Sequence, residues 1–89
     1  LLIKPEFECG KEVADRYKGV VLNKEVHFEV INKIIKAFRD INYYLNDITY
    51  SPVRGGNGNI EYLAYFDKIN TNNNIDIIKL VNDTFKEMR

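Results

Sequence analysis

An apolar run, Leu1 to Ile3, stops on Lys4 and is followed at once by Pro5. Proline has no amide N–H to donate into a strand ladder, so a strand through this run has to end here. Lys4 then stands at the carboxyl tip of a buried strand. In open α/β sheets that edge is where ligands and catalytic groups gather. A two-sided apolar strand also constrains the rest of the chain, which must supply the strands and helices that bury it. The chain opens inside this strand and carries no initiator methionine, from which a preceding segment is expected.

The remaining pattern reads strand, loop, helix, strand, loop, strand, helix. Gly10 to Gly19 is polar, with positive charge at Lys11, Arg16, Lys18 and nearby Lys24, and should form a loop with a helical turn around Glu12 to Tyr17. Asn23 is an expected N-cap, since its side chain can accept from the free amides of the next turn. Val26, Val30, Ile31, Ile34, Ile35, Phe38 and Ile41 recur at three- and four-residue spacing, which predicts one apolar stripe on a helix of about 18 residues. Tyr43 to Tyr50 is rich in aromatic and β-branched types and reads as a strand. Ser51 to Gly58 holds a proline and three glycines and reads as a tight loop. Asn59 to Asp67 is the next strand, with Ile60, Tyr62, Ala64 and Phe66 on one face. Asn70 to Asn74 is a polar linker, and Ile78, Val81, Phe85 and Met88 predict a second helical stripe.

This order has a chemical consequence. A whole helix separates the first two strands, so they should run parallel. A short glycine-rich loop joins the second to the third, so the third should run antiparallel. Its start then lies at the edge where the other two end. Lys4 and Glu61, far apart in sequence, should meet there.

Composition narrows the function classes. Eighty-nine residues, 45% hydrophobic and 29% charged, make one small globular domain. No apolar run reaches the roughly 18–20 residues that span a bilayer, and no signal-peptide pattern is visible. A membrane-disrupting function also lacks the strongly basic amphipathic segment it would need. The single cysteine, Cys9, cannot close an internal disulfide and suits a reducing cytoplasm. No metal-ligand spacing stands out. Net charge is zero, so RNA affinity would have to come from a local basic patch.

The segments Leu2 to Gly10, Lys18 to Val21, His27 and Ser51 to Glu61 resemble the carboxyl-terminal part of the hemolysin A (TlyA-type) proteins, within the FtsJ-like group of RNA 2′-O-methyltransferases. The resemblance covers roughly Leu1 to Phe66 and departs from the family pattern at Glu6, where glutamine is usual, and before Val20, where one glycine stands in place of two. It implies an α/β fold, the carboxyl-terminal part of a Rossmann-like methyltransferase sheet with its last strand antiparallel. Residues 1–89 would then be a fragment whose cofactor-binding half lies upstream, together with the site for S-adenosylmethionine. It also implies a lysine–aspartate–lysine–glutamate catalytic set, in which Lys4 matches the second lysine and Glu61 the glutamate. The partner implied is ribosomal RNA, the location cytoplasmic, and the fragment alone would be inactive. A non-catalytic RNA-binding module on the same scaffold is the alternative, with a hemolysin-type membrane-active protein behind it.

The residue types suit that chemistry. A ribose hydroxyl is a weak nucleophile, so methylation needs alignment and help with its proton. An amine whose charged form is disfavoured can take the proton, but a neighbouring carboxylate works against this. Lys4 therefore reads as a stabiliser and orienter of the hydroxyl, itself positioned by Glu61 through a charge-assisted hydrogen bond. Arg54, Lys18 and Arg16 are candidate contacts to RNA phosphates. His27 reads as packing or capping, Cys9 as an inert thiol, and Gly55, Gly56 and Gly58 as backbone geometry. Half of a doubly wound sheet leaves Leu1 to Ile3 a template for pairing, so the fragment is expected to self-associate.

Overall fold

The computed structural model describes residues 1–71 and 74–88. Its elements run β1 (Leu2–Ile3), α1 (Pro5–Glu8), α2 (Lys11–Arg16), α3 (Lys24–Asp40), β2 (Tyr44–Tyr50), a single 3₁₀ turn at Gly56–Gly58, β3 (Tyr62–Asp67) and α4 (Ile77–Glu87). Of the expected polar linker, residues 72 and 73 lie outside the described set.

The three strands form one sheet in the order β1-β3-β2. β3 pairs antiparallel with both neighbours, which makes β1 and β2 parallel. Tyr62 is opposite Ile3 on one side and Tyr50 on the other. The carboxyl ends of β1 and β2 therefore meet the start of β3 at a single edge. Within β2 the register slips between Leu45 and Asp47, a bulge that keeps Leu45 and Ile48 both facing inward.

Alternation then sorts the two faces. Ile3, Ile48, Ile60, Tyr62 and Ala64 join Val30 and Ile31 of α3 and Ile77 and Val81 of α4 in one core. On the opposite face Leu2, Leu63 and Tyr65 stay exposed. Phe38 of α3 stacks on Phe66 of β3 with ring centroids 4.2 Å apart.

The helices start where caps allow. Asn23 Oδ1 accepts from the Val26 amide at 3.1 Å, and Asp76 Oδ1 accepts from the Lys79 amide at 3.0 Å. Packed against α3 and β2, α4 buries Ile77, Val81 and Thr84 while Ile78 is 59% exposed. The expected stripe thus begins one residue early. Ile41 also leaves its expected stripe, because it caps α3 beyond the last helical residue and is exposed.

α1 has no counterpart among the expected elements. Pro5 occupies its first turn, where no amide partner is required, and the Lys4 carbonyl accepts from the amides of Phe7 and Glu8. This turn buries Pro5 and Glu6. A strand end has become a corner that carries an acid inward.

Candidate active site

The sheet edge opens into a cavity of about 340 Å³ lined by Lys4, Glu6, Phe7, Gly19, Gly55–Asn57, Asn59 and Glu61. Lys4 follows Ile3 and Glu61 precedes Tyr62, and the Ile3–Tyr62 pairing brings these neighbours to the same wall. The convergence expected from topology is present. The direct ion pair is not. Among the described residues the ion pairs are Lys36–Asp40 and Lys79–Asp83, and Lys4 Nζ lies 5.4 Å from the centroid of the Phe7 ring.

Glu61 faces an acid instead. It is 6% exposed, and Glu6, 8% exposed, is hydrogen-bonded to it through the side chains. Burial first, then the hydrogen bond and charge of Glu61, push the Glu6 carboxyl up to about 7, against the lowering effects of a hydrogen bond from its own backbone and, less, of Lys4.

The loop from Ser51 to Glu61 is built to hold Glu61. The Ser51 amide donates to the Glu61 carbonyl and the Gly55 amide to the Asn59 carbonyl, both at 2.8 Å. Asn57 and Gly58 take left-handed φ values of 58° and 83°. Gly55 serves closeness: a Cβ there would lie 2.2 Å from Glu61 Oε2. Ser51 Oγ closes a local turn with the backbone of Val53.

Asn59 locks a second segment to the cavity. Its Oδ1 accepts from the Val21 amide at 2.9 Å, and its Nδ2 donates to the carbonyls of Gly19 and Gly56. Behind this lock His27 is fully buried. Its Nε2 must carry the proton, because the Val21 carbonyl 2.6 Å away can only accept; Nδ1 accepts from the Tyr62 hydroxyl at 2.8 Å. Burial holds the imidazole below its ordinary value. His27 is packing, as its place beside the apolar stripe indicated.

Two of the three basic candidates adjoin the cavity lining. Lys18 precedes cavity-lining Gly19, and Arg54 precedes cavity-lining Gly55. Arg54 is already committed, donating to the carbonyls of Gly58 and Met88. Arg16 ends α2, away from the lining. Cys9 is half-buried in another cavity, and burial raises its thiol, which suits an inert group.

Sequence reasoning did not assign roles to Glu6 and Asn59. The available signals were a proline able to open a helical turn just before Glu6, and an asparagine closing a Gly-Asn-Gly run.

Among the described residues no helix is long and apolar enough to cross a membrane, and no cluster of metal-ligating side chains occurs. Residues 1–68 match the sequence profile of the FtsJ-like methyltransferase family. The chain is 38% identical over 64 residues to "Putative rRNA methyltransferase YqxC" of Bacillus subtilis, covering 72% of this chain and 22% of that protein. It is 32% identical over 68 residues to "23S rRNA (cytidine-2'-O)-methyltransferase TlyA" of Campylobacter jejuni, covering 76% of this chain and 27% of that one. It therefore spans about a quarter of the length of these curated relatives. Its fold superposes on a solved structure titled "Putative hemolysin from Streptococcus thermophilus" with a TM-score of 0.84 at 30% identity, over 97% of this chain and 32% of that one.

Proposed function

Because this chain belongs to the FtsJ-like methyltransferase family, we propose that it forms the carboxyl-terminal part of an S-adenosylmethionine-dependent rRNA 2′-O-methyltransferase, with Lys4 and Glu61 in its active site. The observation that carries the reading is the Ile3–Tyr62 register, which sets a lysine and a glutamate on one cavity wall at the carboxyl edge of the sheet.

S-adenosylmethionine, when bound, supplies a methyl group on a cationic sulfur. The glycine-rich loop present here is no cradle for it, since the Glu61 carboxylate fills the space beside Gly55. The cofactor site belongs, in this reading, to a part of the protein preceding Leu1. The work left to this chain is alignment. Lys4 offers its donors to the ribose oxygen and stabilises the negative charge that grows there as the hydroxyl loses its proton. Glu61 fixes the position of the lysine across the cavity. Alignment of this kind can supply about 7–11 kcal/mol of a barrier.

Ribosomal RNA is the proposed partner and the cytoplasm the proposed location. Alone, the chain would self-associate through the exposed row Leu2, Leu63 and Tyr65; a monomer in light scattering at high concentration would refute this. The enzymatic reading is tested with the full-length protein, by transfer of labelled methyl groups from S-adenosylmethionine to ribosomal RNA. A 2′-O-methyl group removes the hydroxyl that attacks the adjacent phosphate, so the labelled linkage should resist alkali. Label on a base, or no transfer, overturns the proposal.

A further inference from the structure

Two acids, Glu6 and Glu61, are each more than nine-tenths buried and face one another across one corner of the cavity. Glu6 Oε1 is fully buried, and no N–H or O–H donor of the protein reaches it. The Glu61 carboxyl lines the same cavity, and its hydrogen bond and charge both act on the Glu6 carboxyl. Two carboxylates cannot hydrogen-bond without a proton between them, and two buried negative charges in contact repel strongly.

The surroundings do not neutralise the pair. Lys4, at the tip of β1, is the cation of the cavity lining, and its ammonium sits over Phe7. The loop side contributes glycines and the neutral side chains of Asn57 and Asn59. α3, which packs on α1, carries Glu29 and Lys33 toward it, and these line a separate cavity with Glu8 and Cys9. Gly55 leaves beside Glu61 no room for a Cβ.

We propose that Glu6 is a positioning residue: it keeps its carboxyl proton and donates it to Glu61, so that one shared proton holds the Glu61 carboxylate in place on the cavity wall it shares with Lys4. This rests on the reading of Lys4 and Glu61 as active-site groups and adds a proton requirement to it. With the proton present, Glu61 is a single anion with one fixed partner and one lysine to orient. Without it, repulsion drives Glu61 off the Gly55 cradle, and the lysine loses its guide. Methyl transfer should therefore fail on the alkaline side for a reason located in Glu6. The upward shift of the Glu6 carboxyl to about 7 agrees with this geometry and places the transition near neutrality.

The test monitors the side-chain carboxyl carbon of Glu6 by NMR in protein labelled at glutamate, together with the pH profile of methyl transfer by the full-length enzyme. Glu6 should titrate near 7 and return toward the ordinary range in Glu61→Gln, whose amide donates to a Glu6 carboxylate. Glu6→Gln supplies a permanent neutral donor, so it should retain transfer at pH 6 where Glu6→Ala does not. It should also escape the wild-type decline, which above the midpoint approaches roughly ten-fold per pH unit. Glu6 titrating with the surface glutamates, or a midpoint unmoved by Glu61→Gln, overturns the shared proton. A midpoint near 7 with identical wild-type and Glu6→Gln profiles overturns the positioning role. If the full-length protein transfers no methyl group at any pH, it is the enzymatic reading that fails, while the titration still decides the pair.

Discussion

Gly55 and Glu61 stand so close that a methyl group added to the glycine would lie 2.2 Å from the glutamate Oε2. The Gly55 φ of −75° is open to any residue, so the constraint is space and not backbone freedom. The obstacle is the end of a side chain, which can swing away. Gly55→Ala should therefore cost no more than the roughly 1–3 kcal/mol of ordinary overpacking. Methyl transfer should nevertheless collapse, because Glu61 leaves its position. Denaturant unfolding beside a methyl-transfer assay separates the two; normal turnover in Gly55→Ala would show that Glu61 need not sit where it does.

Lys4 and Glu61 should not be equal in effect. If the proposed function holds, Lys4→Ala should abolish transfer by the full-length protein and leave S-adenosylmethionine affinity nearly intact. Groups of this type typically contribute about 10²–10⁴-fold. On the proposed roles Glu61→Gln should cost less, since Glu61 would orient a group without touching the developing charge. Lys4→Arg should not rescue, because a flat, larger guanidinium cannot replace a compact ammonium in this corner. Near-normal turnover by Lys4→Ala would reduce Lys4 to a strand end.

Stability should respond to pH through Glu6. Its folded carboxyl titrates at about 7, above the ordinary 4.5, so between these values the folded state binds more protons than the unfolded. Stability from this group is present below about 4.5 and is lost as pH rises through 7. His27 acts in the opposite sense: its imidazole is held below 6.5 by burial, so it withdraws stability as pH falls below that value. The difference between wild type and Glu6→Gln isolates the acid. Unfolding free energies of the two, measured from pH 5 to 8, should diverge in favour of the variant as pH rises; parallel curves would refute the assignment.

The placement of Lys4 and Glu61 at one sheet edge was legible because it derives from strand direction: a helix between β1 and β2 makes them parallel, and a tight loop before β3 reverses it. The buried face of β3 came from alternation, and Asn23 from its place before an apolar stripe. Glu6 was hidden for a different reason. A strand reading carries the chain outward past Pro5, whereas proline in a first helical turn folds it back and turns the next acid inward. Ile77 was missed because the apolar spacing fits two phases, and only packing against α3 and β2 selects one. Two side-chain interactions of Asn59, with the Val21 amide and the Gly19 carbonyl, depend on two loops meeting across 38 and 40 residues. No local pattern encodes that meeting.

Asn59 should consequently matter more to folding than its loop position suggests. Asn59→Ala leaves the Val21 amide buried without its acceptor, a loss of about 1–3 kcal/mol. Hydrogen exchange at the Val21 amide should accelerate together with the fall in unfolding free energy. An unchanged Val21 exchange rate would mean the side chain is not what holds the two loops together.

The basic residues should divide by what else they do. Arg54 bonds to the Gly58 and Met88 carbonyls, so Arg54→Ala should lower stability as well as RNA affinity. Lys18 and Arg16 are exposed, and neither enters an ion pair among the described residues. If they meet phosphates, removing either should leave unfolding unchanged and weaken RNA binding at low salt. Each lost phosphate contact should reduce the slope of log affinity against log salt by about 1. Binding of full-length variants to ribosomal RNA across a salt series reads this directly. A slope unaltered in both Lys18→Ala and Arg16→Ala would remove them from the RNA-facing surface and leave Arg54 as the remaining candidate at the cavity mouth.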